Sequence, residues 1–178
     1  MTSIPFNGIP GHPQTGVCAP SPRSTGPSIS IIVTDERLTR VDWMPSRAHD
    51  SAGMDLRAMF ADGLVQALQP GEARLIPTGL RVWVRNPNWV GMIYPRSGTG
   101  HKRGLVLGNG TGVIDADYQG PLMVSLLNRT SEVQVIEFGE RIAQLVVLPI
   151  IRPDLDFVTD FESATARGDG GFGSTGTK

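Results

Sequence analysis

The chain has 178 residues, of which 39% are hydrophobic, enough for one globular domain with a packed core. Its formal net charge of −1 gives no global attraction to nucleic acid or to a membrane surface. The single cysteine, Cys18, excludes an intrachain disulfide, and the longest apolar run, LVVLPII at 145–151, is far too short to cross a bilayer. We therefore expect a soluble cytoplasmic protein that binds neither nucleic acid nor a membrane.

The first 28 residues differ in composition from the rest of the chain. Six prolines, four glycines and four serines make up half of this segment. Such a composition buries too little apolar surface to offset the entropy of ordering, so we predict a flexible extension at 1–28. We expect a β domain over residues 29–166 and a mobile, glycine-rich C-terminal segment over 167–178.

From Ile29 onward the sequence is typical of a series of short β-strands. The candidate strands are rich in Val and Ile, and Gly, Pro and Asn separate them. In chain order they are ISIIV, ARLIP, LRVWV, WVGMIYP, GLVL, LMVSLLN, EVQVIEF and RIAQLVVLPI. No segment predicts a helix longer than about two turns. With 22 glycines and 14 prolines available for tight turns, the pattern predicts an all-β sandwich, jelly roll or barrel.

Two stretches in the first part of this region are more polar than their surroundings. In SAGMDLRA, 51–58, the carboxylate of Asp55 enters a strand, an arrangement that by itself usually means a solvated strand edge. In PRSGTG, 95–100, an arginine, a hydroxyl group and glycines that expose backbone N–H groups could cradle an anion. Taken alone, the second stretch is a turn about as often as it is a phosphate site.

The stretch GNGTGVIDADYQG, 108–120, is the most informative. NGTG predicts a turn, and VIDADY predicts the returning arm of a hairpin. On an extended arm Asp115 and Asp117 share one face, while Ala116 points the other way. Two acids and a tyrosine beside a glycine turn are poor core residues, so the arm is either a solvated hairpin edge or a binding site.

Two further stretches place polar groups where packing alone does not require them. Gln144 in GERIAQ, 139–144, interrupts an otherwise apolar strand, and its amide needs either structural partners or a ligand. The C-terminal segment RGDGGFGSTGTK combines five glycines with Arg167 and Phe172. Its glycines predict mobility, whereas the arginine and the aromatic ring are groups that recognise ligands.

Taken together and in this order, the five stretches resemble the five motifs of the deoxyuridine triphosphate nucleotidohydrolases, the all-β homotrimeric dUTPases. The resemblance covers roughly residues 29–178. It implies a distorted jelly-roll fold with active sites at subunit interfaces. It also implies hydrolysis of dUTP to dUMP and diphosphate with Mg²⁺, a reaction that keeps uracil out of DNA and supplies dUMP for thymidylate synthesis.

The resemblance further implies roles for individual residues. Asp115 orients and activates the attacking water, and Asp55 supports the water shell of Mg²⁺, which has no direct protein ligand. Tyr118 packs against deoxyribose where a ribose 2′-OH would clash, and Phe172 stacks on uracil. The other implied contacts are with the phosphates for Arg96, Ser97, Gly98, Gln144, Arg167, Ser174 and Thr175, with uracil for Asn109, Val113 and Ile114, and with further parts of the substrate for Met123 and Gly173.

Two positions depart from the family pattern. Thr99 stands where the family more often has an aliphatic residue, and Met54 where it often has an aromatic residue or leucine. Two alternative functions stay open, namely a dCTP deaminase-like or bifunctional enzyme on the same fold, and a dUTP-binding regulatory module without turnover. The intact GVIDADY stretch and glycine-rich C-terminal segment favour the hydrolase over both.

Overall fold

The computed structural model describes residues 28–39, 43, 51–61 and 65–171. Within these ranges the chain forms ten strands, one 3₁₀ turn at Glu36–Thr39 and one α-helix, α1, at Ser97–Arg103. The strands are β1 Ser30–Val33, β2 Met54–Arg57, β3 Gln66–Leu68, β4 Ala73–Trp83, β5 Trp89–Pro95, β6 Leu105–Leu107, β7 Gly112–Ile114, β8 Pro121–Asn128, β9 Gln134–Ile136 and β10 Arg141–Pro149. Apart from Ser28, the predicted N-terminal extension lies outside the described residues.

The strands pair antiparallel in two four-stranded sheets and one small ribbon. One sheet has the order β1-β4-β8-β6, the other has the order β2-β10-β5-β7, and β3 pairs with β9. Alternate residues of the long strands point inward and form one core between the sheets. These residues include Ile76, Leu80, Val82, Ile93, Leu122, Val124, Leu126 and Leu145. The arrangement confirms the predicted all-β, jelly-roll-like fold.

Strand β4 is continuous where the sequence predicted two strands, ARLIP and LRVWV. Its register with β8 shifts between Pro77 and Arg81, so the strand bends there. Gly79 lies at this bend with φ +70°, a conformation that favours glycine. An added Cβ at this position would also lie only 2.8 Å from the Cβ of Asp35. The glycine that separates the two candidate strands in the sequence therefore joins them in the fold.

The PRSGTG stretch, for which the sequence alone left a turn and a phosphate site open, leads into a helix rather than a turn. Arg96 is the extended residue before helix α1, with φ −82° and ψ 141°, and the helix ends at Gly104 in the left-handed conformation. Thr99 is buried on the inner side of this helix. Packing of that residue and the glycine at the helix end stabilise two helical turns in a segment whose own glycines disfavour a helix. No helix in the described part of the chain has the length and apolarity needed to span a membrane.

The hairpin predicted around NGTG is wrong in its pairing. Strand β6 before the turn pairs with β8 in one sheet, whereas β7 after it pairs with β5 in the other. Burial of Leu105 and Leu107 holds β6 in its sheet. The missing side chain of Gly112 lets β7 approach β5 closely, since an added Cβ there would be only 3.0 Å from the Cβ of Ile93. The glycine turn therefore carries the chain from one sheet to the other.

The two aspartates after β7 lie on a turn rather than on an extended arm. Residues 115–118, which we call the acidic turn, reverse direction, and the Tyr118 N–H donates to the Asp115 carbonyl over 3.2 Å. Ala116 is buried at 5% exposure while Asp115 and Asp117 are exposed. The predicted separation of the acids from the alanine is therefore right, but the conformation that produces it is different.

An ion pair next to β1 joins the 3₁₀ turn to the core. Asp35 Oδ1 accepts bonds from the Arg37 backbone N–H at 3.0 Å and from Arg37 Nε at 2.8 Å. Arg37 Nη2 donates to Asp35 Oδ2 and to the Phe60 carbonyl. The side-chain bond from Arg37 outweighs desolvation and lowers the pKa of Asp35 from its usual 3.8. Because the folded pKa lies below the unfolded one, this pair stabilises the fold above about pH 4 and loses that effect as the pH falls through the folded pKa.

We expect Asp35→Asn to lower the free energy of unfolding by about 1 kcal/mol at pH 7, since the amide cannot accept all the bonds of the carboxylate. The difference from the parent should narrow as the pH falls below about 4, where the parent carboxyl becomes protonated. Urea unfolding at pH 3 to 7 measures both effects, and Asp154→Asn, at an exposed position, is the control. A difference that stays constant across this pH range would contradict the assignment.

Candidate active site

Polar residues of β2 and β10 and the residue after β5 meet where these strands lie side by side at one end of the second sheet. In β10, Gln144 lies opposite Asp55 of β2 on one side and opposite Tyr94 of β5 on the other. Arg96 follows directly after the end of β5. The structure therefore brings together residues from three of the sequence stretches, and we call Asp55, Arg96, Arg141 and Gln144 the arginine cluster.

Asp55 connects the two arginines of this cluster. Arg96 Nε donates to Asp55 Oδ1 at 2.8 Å, and Arg141 Nη1 donates to Asp55 Oδ2 at 3.1 Å. All three side chains are between one-third and one-half exposed, so these pairs contribute little to stability. Each guanidinium has five N–H donors, most of which remain for a ligand. The carboxylate thus orients two guanidinium groups beside the same space.

Gln144 has a structural partner. Its Nε2 donates to the Pro95 carbonyl at 3.0 Å, which ties β10 to the residue before Arg96. The other side of the amide lies against Gly53, where an added Cβ would be 2.4 Å from Gln144 Oε1. Since the amide nitrogen carries two protons, one of them remains for a ligand.

A basic cleft of about 480 Å³ opens beside the arginine cluster. Five of the side chains that line it are cationic, and Glu140, which pairs with Arg103, is acidic. The lining residues are Arg57, Arg96, Gly98, Thr99, Lys102, Arg103, Glu140 and Arg141. Even with Asp55 included, cations outnumber carboxylates by more than two to one, so the cleft attracts a polyanion.

Sequence reasoning missed four of these cations, Arg57, Lys102, Arg103 and Arg141. Each stands inside or directly after a stretch that the sequence had singled out, namely DLRA, the HKR that follows PRSGTG, and GERIAQ. The charges were visible, but their convergence depends on the register of β2 with β10 and on the direction of α1.

The other predicted site residues lie on β7, on the turns beside it and on β8. Asn109 is exposed in the glycine turn, Ile114 is half-buried at the end of β7, and Met123 lies on β8 opposite Pro77. Val113 and Tyr118 are 59% and 40% exposed. Large apolar side chains exposed side by side with polar groups are typical of a surface that contacts a ligand or another subunit.

Within one chain, Asp115 and Arg96 lie toward opposite ends of β5. Ile114 pairs with Gly91 near the start of that strand, and Asp115 comes next, whereas Arg96 follows Pro95 at the far end. The four residue steps from 91 to 95 span roughly 13 Å of extended strand. A site that uses both residues must bridge this distance or combine two chains.

The segment after β10 makes no strand, within the described residues, beyond Pro149. Four of its apolar side chains, Ile151, Leu155, Phe157 and Phe161, are 74% to 91% exposed. Arg167 is exposed as well, and its Nε donates to the Gly170 carbonyl at 2.8 Å. The remaining predicted site residues of this segment lie outside the described residues; they are Phe172, Gly173, Ser174 and Thr175.

The donor set suits a cation held through phosphate and water. Among the described residues, no group of three or more His, Cys, Asp or Glu side chains could hold a metal ion. Asp55, the carboxylate of the arginine cluster, is already bonded to two guanidinium groups, which fits contact through water. Mg²⁺ commonly keeps several waters and binds substrate phosphate oxygens. The position of Asp55 between the two arginines is compatible with such coordination.

Comparison with known proteins gives a consistent assignment. The sequence model of the dUTPase family matches residues 39–176. A deoxyuridine 5′-triphosphate nucleotidohydrolase of Mannheimia succiniciproducens is 50% identical over 149 residues, which cover 83% of this chain and 97% of that protein. The same-named protein of Hahella chejuensis is 49% identical over 152 residues, covering 85% and 98%.

Solved structures agree with this. The dUTPase of Staphylococcus bacteriophage 80alpha with dUPNHPP has a TM-score of 0.67 at 30% identity and covers 84% of this chain and 98% of its own. A mutant dUTPase from phage phi11 of S. aureus, described with a structural Mg(II) ion, has a TM-score of 0.63 at 28% identity, covering 76% and 99%. The family model and the alignments with relatives that are about 50% identical cover most of the residues that form both sheets and the basic cleft. The chain therefore belongs to the dUTPase family.

Proposed function

We propose that this chain hydrolyses dUTP to dUMP and diphosphate, with Mg²⁺ and with active sites shared between the subunits of a homotrimer. The basic cleft beside the arginine cluster carries the proposal, because its five cations outnumber the two carboxylates beside it and so favour a polyphosphate. The relatives described above, which are named deoxyuridine 5′-triphosphate nucleotidohydrolases, support dUTP as the substrate.

We assign phosphate binding mainly to the residues around the start of α1. The Arg96 guanidinium can place two N–H groups on one phosphate, and the Ser97 hydroxyl can donate to another oxygen. An added Cβ at Gly98 would meet no heavy atom within 4 Å, so a phosphate can come close to the backbone there. The second Nε2 proton of Gln144 and the guanidinium of Arg141 extend the set of donors.

The uracil base would pair with the edge of the second sheet. Strand β7 is the last strand of its sheet, so the outward N–H and C=O groups of Val113 and its neighbours are not used within the sheet that the described residues form. These groups, with the Asn109 amide, can match the donors and acceptors of a uracil edge. A backbone-lined edge also leaves little space for the extra methyl group of thymine.

Hydrolysis needs a water held in line with the bond that breaks. Asp115 lies exposed on the acidic turn, where its carboxylate can orient a water and accept its proton. The water oxygen then forms a bond to the α-phosphorus, and the bond from that phosphorus to the bridging oxygen of the β-phosphate breaks. The water oxygen remains in dUMP, the bridging oxygen leaves with diphosphate, and the proton taken up by Asp115 is released to solvent, so no covalent intermediate forms on the protein.

Mg²⁺, when bound, would supply positive charge that offsets the negative charge developing on the leaving diphosphate. In our proposal Asp55 contacts a water of its shell through carboxylate lone pairs that Arg96 and Arg141 leave open. Arg167, Ser174 and Thr175 then bind the γ-phosphate, and Phe172 covers the base.

We expect a homotrimer in solution, with a mass about three times 19.1 kDa by light scattering. Two observations support it, the separation of Asp115 from Arg96 along β5 and the exposed apolar side chains after β10. In a cyclic trimer the acidic turn of one chain can face the arginine cluster of the next, and each C-terminal segment can lie on a neighbour. A fully active monomer at micromolar concentration would rule out shared sites.

Diphosphate release from dUTP, dCTP, dTTP and UTP, with Mg²⁺ and with EDTA, tests the proposed activity. We expect rapid release from dUTP alone, loss of activity with EDTA, and recovery when Mg²⁺ is added back. Ammonia release from dCTP would instead indicate a deaminase, and tight dUTP binding without diphosphate would indicate a regulatory module.

A further inference from the structure

Gly120, directly after the acidic turn, is a glycine that the backbone does not require. Its φ lies outside the left-handed region in which glycine is favoured, unlike that of Gly110 in the preceding turn at +75°. The φ of this residue is therefore not one that demands glycine. The reason for the missing side chain must lie in the space around residue 120.

The side chain nearest to that space is Tyr118. The three heavy atoms nearest to an added Cβ at Gly120 are Tyr118 Oη at 2.5 Å, Cζ at 2.7 Å and Cε2 at 3.0 Å. The ring of Tyr118 thus lies folded across the position where residue 120 has no side chain. At such distances something must shift if a methyl group is added, because real contacts of Cβ atoms are longer.

The tyrosine ring is the part that would move. The backbone of the acidic turn is fixed by the Tyr118 N–H bond to the Asp115 carbonyl, and Pro121 begins β8. The ring, in contrast, is 40% exposed, and its tip is held by one bond from Oη to the Pro121 carbonyl at 2.9 Å. A methyl group at 120 would displace the ring and break this bond.

We infer that Gly120, together with the Pro121 carbonyl, positions the Tyr118 ring and thereby sets the preference for deoxyribose over ribose. The inference rests on the proposed function, together with the contact between the Tyr118 ring and deoxyribose that the family resemblance implies. A 2′-OH adds one oxygen atom, so it is excluded only while the ring stays within van der Waals distance of C2′. Gly120 is therefore a positioning residue that acts through Tyr118.

The test measures the ratio of kcat/KM for dUTP to kcat/KM for UTP. Gly120→Ala should lower this ratio at least several-fold with little change in melting temperature, in the same direction as Tyr118→Ala. In the Tyr118→Ala background, Gly120→Ala should leave the ratio unchanged, because the ring that it displaces is absent.

Tyr118→Phe provides an independent measurement should Gly120→Ala not fold. It keeps the ring but removes the hydroxyl group that donates to the Pro121 carbonyl, so the ratio should also fall. Suppose that Tyr118→Ala lowers the ratio but Gly120→Ala leaves it unchanged. That result would overturn the inference and leave the proposed function intact, and an unchanged ratio in Tyr118→Phe would do the same if Gly120→Ala does not fold. A parent chain that does not hydrolyse dUTP would instead overturn the proposed function itself.

Discussion

Asp115→Asn should lower the turnover of dUTP by roughly 10²-fold or more. The amide keeps the size of the carboxylate and can still hold a water by a hydrogen bond, but it cannot take a proton from that water. Binding of a non-hydrolysable analogue such as dUPNHPP should survive, because the groups that bind phosphate and base are unchanged. Single-turnover kinetics and calorimetric titration with the analogue measure the two effects separately.

The chain contains its own control for this prediction. Asp117 is on the same acidic turn, is exposed like Asp115, and is separated from it only by the buried Ala116. Asp117→Asn removes the same charge from the same turn, so a general electrostatic effect would lower both rates equally. We expect Asp117→Asn to lose far less activity. Near-parental turnover of Asp115→Asn, or equal losses in the two variants, would show that Asp115 is not the base.

The strands could be predicted from the sequence because their signals are local. WVGMIYP became β5 with the predicted bounds, Trp89–Pro95, since its apolar run is bounded by Asn and by the helix that starts after Pro95. Strand β4 was predicted as two strands because a glycine within a β pattern commonly marks the end of a strand. In the fold Gly79 lies at a bend within one strand.

The pairing of strands could not be predicted in the same way. NGTG is a strong hairpin signal, yet β6 and β7 belong to different sheets, because each is held by a strand distant in sequence. The same limit explains the candidate site. Asp55, Arg96 and Gln144 were identified as separate residues, whereas the ion pair of Arg141 with Asp55 and the basic cleft depend on which strands become neighbours.

Asp115 and Arg96 come from two different motifs and lie far apart within one chain. Both residues stand in stretches that resemble motifs of one family, and that resemblance implies active sites at subunit interfaces. The register of β7 on β5 places the two residues toward opposite ends of a strand, which is compatible with this expectation. If the site is shared between subunits as we propose, mixing an inactive Asp115 variant with an inactive Arg96 variant should restore activity in part of the mixed oligomers once the subunits exchange.

Deleting residues 167–178 should leave the melting temperature of the unliganded protein unchanged. Those of the deleted residues that the structure describes, 167–171, make hydrogen bonds only among themselves and to Thr165, such as Gly168 N–H to the Thr165 carbonyl at 3.1 Å. None of them belongs to the hydrophobic core. Their removal therefore uncovers no apolar core surface. Thermal unfolding of the truncated and full chains, with light scattering for the assembly, checks this part of the prediction.

The same deletion should lower kcat for dUTP on the order of 10²-fold or more, since the segment supplies groups that fix the triphosphate. Arg167, Ser174 and Thr175 bind the γ-phosphate in our proposal, and Phe172 stacks on uracil, which adds about 1 kcal/mol beyond its buried area. Affinity for dUMP should change less, because dUMP lacks the γ-phosphate. Phe172→Ala should reproduce part of the loss, and Lys178→Ala should cause little. A truncated chain as fast as the full one would show that these residues take no part in catalysis, and that the basic cleft and the acidic turn suffice to hold the substrate in line.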